Sequence, residues 1–226
     1  MQKVKQSLSH AGPMTEVEAK DLLRRVGFNV VETRLARSSK EAAAMGRELG
    51  FPVALKVVSL QVVHKSNVGG VRLNLAGAHE TAQAYEEILA AVKARLPEAE
   101  VQGMAVQRMA PPGVEVVMGG FRDASFGPVL MFGLGGLWVE VLQDVAFRLV
   151  PLEARDARDM VREIRGYPLL EGYRGQPGVD IPFMEEMILL LSRFMEDNPE
   201  VREVDLNPVI AYPEQALVVD ARVVMR

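Results

Sequence analysis

The chain has no cysteine among its 226 residues. Disulfides, thiolate zinc sites and cysteine nucleophiles are therefore excluded, and a reducing cytoplasm is the expected setting. Aromatic residues are sparse, at 6%, and tryptophan occurs once. No apolar run approaches the roughly 20 residues that span a bilayer, so no membrane association is expected. The opening stretch MQKVKQSLSH lacks the apolar segment of a signal peptide and reads as a loose arm. Positive charge is not in excess: the formal net charge is -4, which argues against a nucleic-acid partner. A few local cations would still suffice for a small anionic ligand. Two phosphate-binding signatures are missing, G-x-G-x-x-G and G-x-x-x-x-G-K-[ST]. Lys65-Ser66 looks like the end of the second, but its glycines, Gly69 and Gly70, follow it rather than precede it.

What is present is an ordinary globular composition, 49% hydrophobic and 25% charged, enough for a sizeable core. The spacing predicts a helix from Thr15, where Thr15 and Glu18 form a T-x-x-E capping box, to Gly27. A second helix is expected over 39–49 before Gly50, and a third from Glu80 to Leu96 before Pro97. Apolar and β-branched runs predict strands at Val53–Val58, Val71–Leu75 and Met104–Met109. Ala110-Pro111-Pro112-Gly113 is the best candidate boundary. Beyond it, strands are expected near 114–121, 128–134 and 146–151, then a helix near 155–165. A glycine- and proline-rich surface loop over 166–182, a helix at 183–196 and two strands near 201–211 and 216–225 complete the reading. Helices and strands mix without strict βαβ alternation, so the expected class is α+β with largely antiparallel sheets. The expected organisation is a flexible arm at 1–14, an N-terminal lobe at 15–110 and a C-terminal lobe at 111–226.

Lys56 falls inside the apolar run Val53-Ala54-Leu55-Lys56-Val57-Val58. A lysine there is costly to bury without an anion. Either its stem packs while its amine reaches water, or it points into a cleft as a phosphate ligand. His64, Lys65 and Ser66 precede Asn67-Val68-Gly69-Gly70, placing an imidazole, an ammonium and a hydroxyl beside two glycines. Such a loop is either merely solvated or a mobile one whose backbone approaches phosphate while the histidine attacks phosphorus. Asp205 and Asn207, two apart, share a strand face, and Asp220 lies in the expected next strand. These oxygens suit magnesium, which takes few protein ligands and completes its octahedron with water and phosphate. The plainer alternative is a strand that ends at Asn207-Pro208 and a turn at Asp220. Gln107, Arg108 and Met109, followed by Pro111-Pro112-Gly113 and Glu115, would form an adenine-binding linker. Its edge backbone groups would bond the purine while Glu115 reaches ribose hydroxyls. Gly133-Leu134-Gly135-Gly136 is a common kind of loop and carries little by itself.

In this order the pieces resemble the ATP-grasp family, and within it the small (β) subunit of ADP-forming acetyl-CoA and acyl-CoA synthetases. The matching stretches are GFPVALKVVS, HKSNVGGVRLNL, VQRMAPPGVEVVMGGFRDASFGPVLMFGLGGLWVEVLQDVAFRLVPL and EVDLNPV. The resemblance implies an ATP-grasp fold in which two α+β lobes grip ATP between antiparallel sheets. It implies that Lys56, with Lys65 nearby, serves the nucleotide phosphates, that Gln107, Arg108 and Met109 line the adenine, and that Glu115 holds the ribose. Asn207 and Asp220 would bind magnesium. His64 matches the histidine that this family uses as a second phosphoryl carrier. The resemblance implies that a CoA-binding α subunit would make an acyl phosphate, that a histidine of that subunit would take the phosphoryl group, and that His64 would accept it and pass it to ADP. The overall reaction is acyl-CoA + ADP + phosphate ⇌ carboxylic acid + ATP + CoA. Glu140, Asp144 and Arg148 fall in the long central match as cleft residues without a defined role. Two other functions fit part of the pattern. Another ATP-grasp carboxylate ligase leaves His64-Lys65-Ser66 unexplained. A non-catalytic nucleotide-sensing module has no need of a phosphorylatable histidine.

Overall fold

The computed structural model describes residues 11–62, 64–136 and 143–226. The chain forms two compact units, each with its own apolar core. The N-terminal unit comprises Thr15–Glu18 and Val31–Pro111. Among the described residues, the C-terminal unit comprises 11–14, Ala19–Val30 and those of Pro112–Arg226.

The first helix, α1 (Glu16–Val26), begins where the capping box placed it. Thr15 donates its backbone N–H to Glu18 Oε2 at 2.8 Å, and Glu18 returns its N–H to Thr15 Oγ1 at 3.3 Å. Two helix-start amides are thus satisfied reciprocally. The N-terminal unit is built on four antiparallel strands, β2 (Thr33–Ala36), β3 (Val53–Val58), β4 (Val71–Leu75) and β5 (Gly103–Arg108), in the order β2-β5-β3-β4. Helices α2 (Ser39–Leu49) and α3 (Ala78–Arg95) pack with it. All six residues of β3 are buried. Val53, Leu55 and Val57 lie in the core with Ile88, Val92, Met104 and Val106. Strand β2 has no apolar alternation and the sequence pattern missed it. Its pairing with β5, Thr33 opposite Gln107 through Ala36 opposite Met104, is what makes it a strand.

The C-terminal unit carries a seven-stranded antiparallel sheet. Its strands are β1 (Gly12–Pro13), β6 (Val114–Asp123), β7 (Gly127–Leu134), β8 (Val145–Leu149), β9 (Val201–Ala211), β10 (Ala216–Val218) and β11 (Ala221–Met225). The order is β1-β11-β9-β6-β7-β8, with β10 beside β9. The short β1 lies within the stretch read as an arm. Helices α4 (Ala154–Glu163), α5 (Tyr167–Glu171) and α6 (Ile181–Asp197) complete this unit. Met184, Ile188, Leu191 and Met195 of α6 share a core with Met118, Leu130 and Phe132 of the sheet.

Two element expectations are corrected. The stretch 166–182 is not wholly loop: it contains α5, whose Leu170 is fully buried and accepts a bond from Val179 N at 2.8 Å. The last strand is not continuous. The amides of Val219 and Asp220 both turn to the carbonyl of Pro208, at 3.0 and 3.4 Å, and the ladder breaks between β10 and β11. The α+β class with antiparallel sheets holds throughout the named strands. Among the described residues no helix is long and apolar enough to cross a membrane.

Candidate active site

Lys56 does not take the course of a strand lysine whose amine reaches water. It is 6% exposed, and its ammonium donates to Glu16 Oε1 at 2.9 Å. The other oxygen, Oε2, takes the ammonium of Lys65. Glu16 is itself 6% exposed and stands in the first turn of α1, where free amide groups favour an anion. All three residues belong to the N-terminal unit. Pattern reading missed Glu16, because the capping box drew attention to Thr15 and Glu18 on either side. The available signal was the pair of lysines, each of which needs an anion if buried.

His64 lies exposed in the segment between β3 and β4. A single 3-10 turn, Ser66–Val68, follows it. Asn67 N donates to the His64 carbonyl at 3.2 Å, and Gly70 N to the Lys65 carbonyl at 2.7 Å. Arg95, at the end of α3, donates to the Asn67 carbonyl. The glycine pair permits a tight closure of the turn. Gly69 sits at φ +73°, and a Cβ on Gly70 would stand 2.6 Å from Val57 Cγ1 and 2.9 Å from the Lys65 carbonyl.

Gln107 is 2% exposed in the middle strand β5, paired with Thr33 on one side and Ala54 on the other. Arg108 is exposed at the strand's end. Met109 N already donates to the Pro52 carbonyl at 2.9 Å, so that donor is not among the edge groups open to a purine. In the C-terminal unit, Glu115 is exposed near the start of β6, opposite Ile210. Its carbonyl accepts Gly135 N at 2.7 Å, and a Cβ on Gly136 would come within 2.9 Å of its Oε2. The glycine-rich stretch thus has a local purpose, which is to lie against Glu115.

The backbones of Asn207 and Asp220 lie side by side, and Asp220 occupies the break before β11 rather than the strand expected for it. Asn207 N donates to the Asp220 carbonyl at 3.2 Å, and the Asp220 carboxylate accepts Ala221 N at 2.8 Å. Asp205, one strand step away, faces Arg222. Burial first, then Glu203 and Asp220, push its carboxyl from the ordinary 3.8 up to about 6 against the pull of Arg222. A carboxylate crowded by other carboxylates fits a cation, and the donors are hard oxygens of the kind magnesium takes. Among the described residues no three histidine, cysteine or carboxylate side chains converge on one point. A metal here would rest on few protein oxygens, with phosphate and water completing its shell.

Of the three residues in the central stretch, Glu140 lies outside the described residues. Asp144 is 9% exposed and accepts the amides of Arg165 and Gly166, both at 2.7 Å, which anchors the approach to α5. Arg148 pairs with Glu163 of α4.

The ATP-grasp domain matches residues 8–225. The chain belongs to the ATP-grasp family. This ATP-grasp chain is 41% identical over 213 residues to the acetate–CoA ligase [ADP-forming] I subunit beta of Pyrococcus furiosus, covering 94% of itself and 92% of that protein. It is 42% identical over 222 residues to the acetate–CoA ligase [ADP-forming] I of Archaeoglobus fulgidus, covering 98% of itself but 32% of that longer protein. Among solved structures it is similar to the dinucleotide forming acetyl-coenzyme A synthetase 1 of Ca. Korarchaeum cryptofilum in complex with coenzyme A and Ca-AMPCP. That match has a TM-score of 0.93 and 48% identity, and covers 100% of this chain and 97% of the other. A second structure of that enzyme holds coenzyme A and Mg-AMPPCP, with its phosphohistidine segment pointing towards the nucleotide binding site. There the TM-score is 0.83 and the identity 44%, with the same coverage.

Proposed function

We propose that this chain is the nucleotide-binding, phosphoryl-transfer subunit of an ADP-forming acyl-CoA synthetase and works through a phosphohistidine at His64. One observation carries the reading: the exposed His64 directly precedes Lys65, whose ammonium shares one buried carboxylate, that of Glu16, with the ammonium of Lys56. The full-length match to a subunit beta, and to a structure with a phosphohistidine segment, supports it. Lys56 and Lys65 serve phosphate oxygens, Gln107, Arg108 and Met109 the adenine, and Glu115 the ribose. Asn207 and Asp220 would hold magnesium, which when bound would draw charge from the phosphates.

Toward ATP, a terminal oxygen of ADP attacks the phosphorus on His64. The N–P bond breaks and the electron pair returns to the imidazole. In reverse, the imidazole attacks the γ-phosphorus and ADP leaves. CoA binding and acyl-phosphate formation belong to a partner subunit. The A. fulgidus relative is about three times as long as this chain, consistent with both parts in one polypeptide. By these roles the chain works in the cytoplasm.

The test is labelling by γ-labelled ATP, with His64→Ala as control. Acid-labile label on the wild type, absent from His64→Ala while both bind ATP, is the expected result. ATP binding without label in the wild type would leave only nucleotide sensing.

A further inference from the structure

Glu16 belongs to no motif used above, yet it holds both lysines that the chemistry needs. Its side chain is 2% exposed, that of Lys56 7% and that of Lys65 21%. Lys56 comes from the middle of β3 and Lys65 from the segment that carries His64. Two cations this close repel, and burial weakens the solvent screening between them. One carboxylate with an oxygen for each ammonium overcomes the repulsion and fixes their separation. Further ties of the segment, among them those from Asn67 N, Gly69 N, Gly70 N and Arg95, end on backbone carbonyls and shape the turn.

We infer that Glu16 is a positioning residue for phosphoryl transfer: its carboxylate sets Lys65, and with it the foot of the His64 segment, at a fixed distance from Lys56. A phosphoryl group offers neighbouring oxygens much as a carboxylate does, so ammonium groups arranged around Glu16 are arranged for phosphate. The inference rests on the reading of His64 as a phosphoryl carrier.

The test is the rate of His64 labelling by γ-labelled ATP in the full chain, at saturating ATP, where weaker nucleotide binding through Lys56 is masked. Glu16→Gln and Lys65→Met should each slow labelling about tenfold or more, and the double variant should lose no more than about twofold beyond Lys65→Met, because Glu16 acts through Lys65. Glu16→Asp, which keeps the charge, should recover part of the rate. Labelling of Glu16→Gln at the wild-type rate overturns the inference. So does a double variant slowed by the product of the two single losses, which marks a general structural role. If Glu16→Gln does not fold, the partly exposed Lys65 carries the test, and wild-type labelling of Lys65→Met overturns the inference. A wild type that binds ATP without label sinks the carrier reading and this inference together. A labelled wild type with unaffected variants sinks the inference alone.

Discussion

Lys56 is buried against an equally buried carboxylate, so replacing it has two consequences. Lys56→Met removes a charge-assisted contact to phosphate worth roughly 1.5–3 kcal/mol, and ATP affinity by calorimetry should fall about tenfold or more. It also takes one partner from Glu16, so the melting temperature should drop as well. Unchanged ATP affinity would remove Lys56 from the site. Asp205 makes the opposite kind of prediction. Its carboxyl is raised from 3.8 to about 6, so the folded chain holds that proton more tightly than the unfolded chain does. The group costs nothing below the lower value; stability drains as pH rises through the interval, and the full cost stands above it. Asp205→Asn should therefore stabilise the ligand-free chain by roughly 1–3 kcal/mol near neutral pH and by nothing in acid below the interval. A stability difference independent of pH would show that the carboxyl is not raised.

At the scale of elements, Arg122 decides how the end of α6 meets β9. From β6 its guanidinium donates to the carbonyls of Met195, of Asn198 at 2.9 Å and of Val201 at 2.8 Å. Burial pulls its pKa below the usual arginine value. A planar fork with several donors suits carbonyls left open at a helix end, where a cation is also favoured. Arg122→Ala should lower stability by about 2–4 kcal/mol in urea titrations, and Arg122→Lys should recover little, since a compact ammonium lacks the extended fork whose Nε and Nη2 reach separate carbonyls. Full recovery by lysine would show that charge alone matters there. Because β9 carries Asp205 and Asn207, the alanine variant should also blunt magnesium-dependent ATP binding.

For the whole molecule, a ligand that binds only the folded chain must stabilise it. ATP with magnesium at 100 times its dissociation constant should add about 2.7 kcal/mol. Asp220→Asn should keep the fold and lose the magnesium-dependent part of that gain in thermal melts. An ATP shift that ignores magnesium in the wild type would end the assignment of Asn207 and Asp220. Each unit has its own core, so damage to one is expected to leave the other's secondary structure standing.

The sequence by itself determined what short-range chemistry determines. The Thr15–Glu18 box placed the start of α1, the β-branched run placed β3, and glycine and proline marked most ends. It also exposed Lys56 as a cation in an apolar run and His64 as an imidazole beside a lysine and two glycines. Tertiary structure decided which distant groups meet. Glu16 lies 40 residues from Lys56 and 49 from Lys65, and no spacing rule joins them. The same holds for β2, a strand only because β5 runs beside it, and for Ala19–Val30, which joins the C-terminal unit although Thr15–Glu18 joins the other. It holds again for Val219 and Asp220, whose amides leave the ladder for the Pro208 carbonyl. Local pattern fixes backbone preference within a few residues. Which buried charge finds its counter-ion, and which face finds its core, is settled by packing across long separations along the chain.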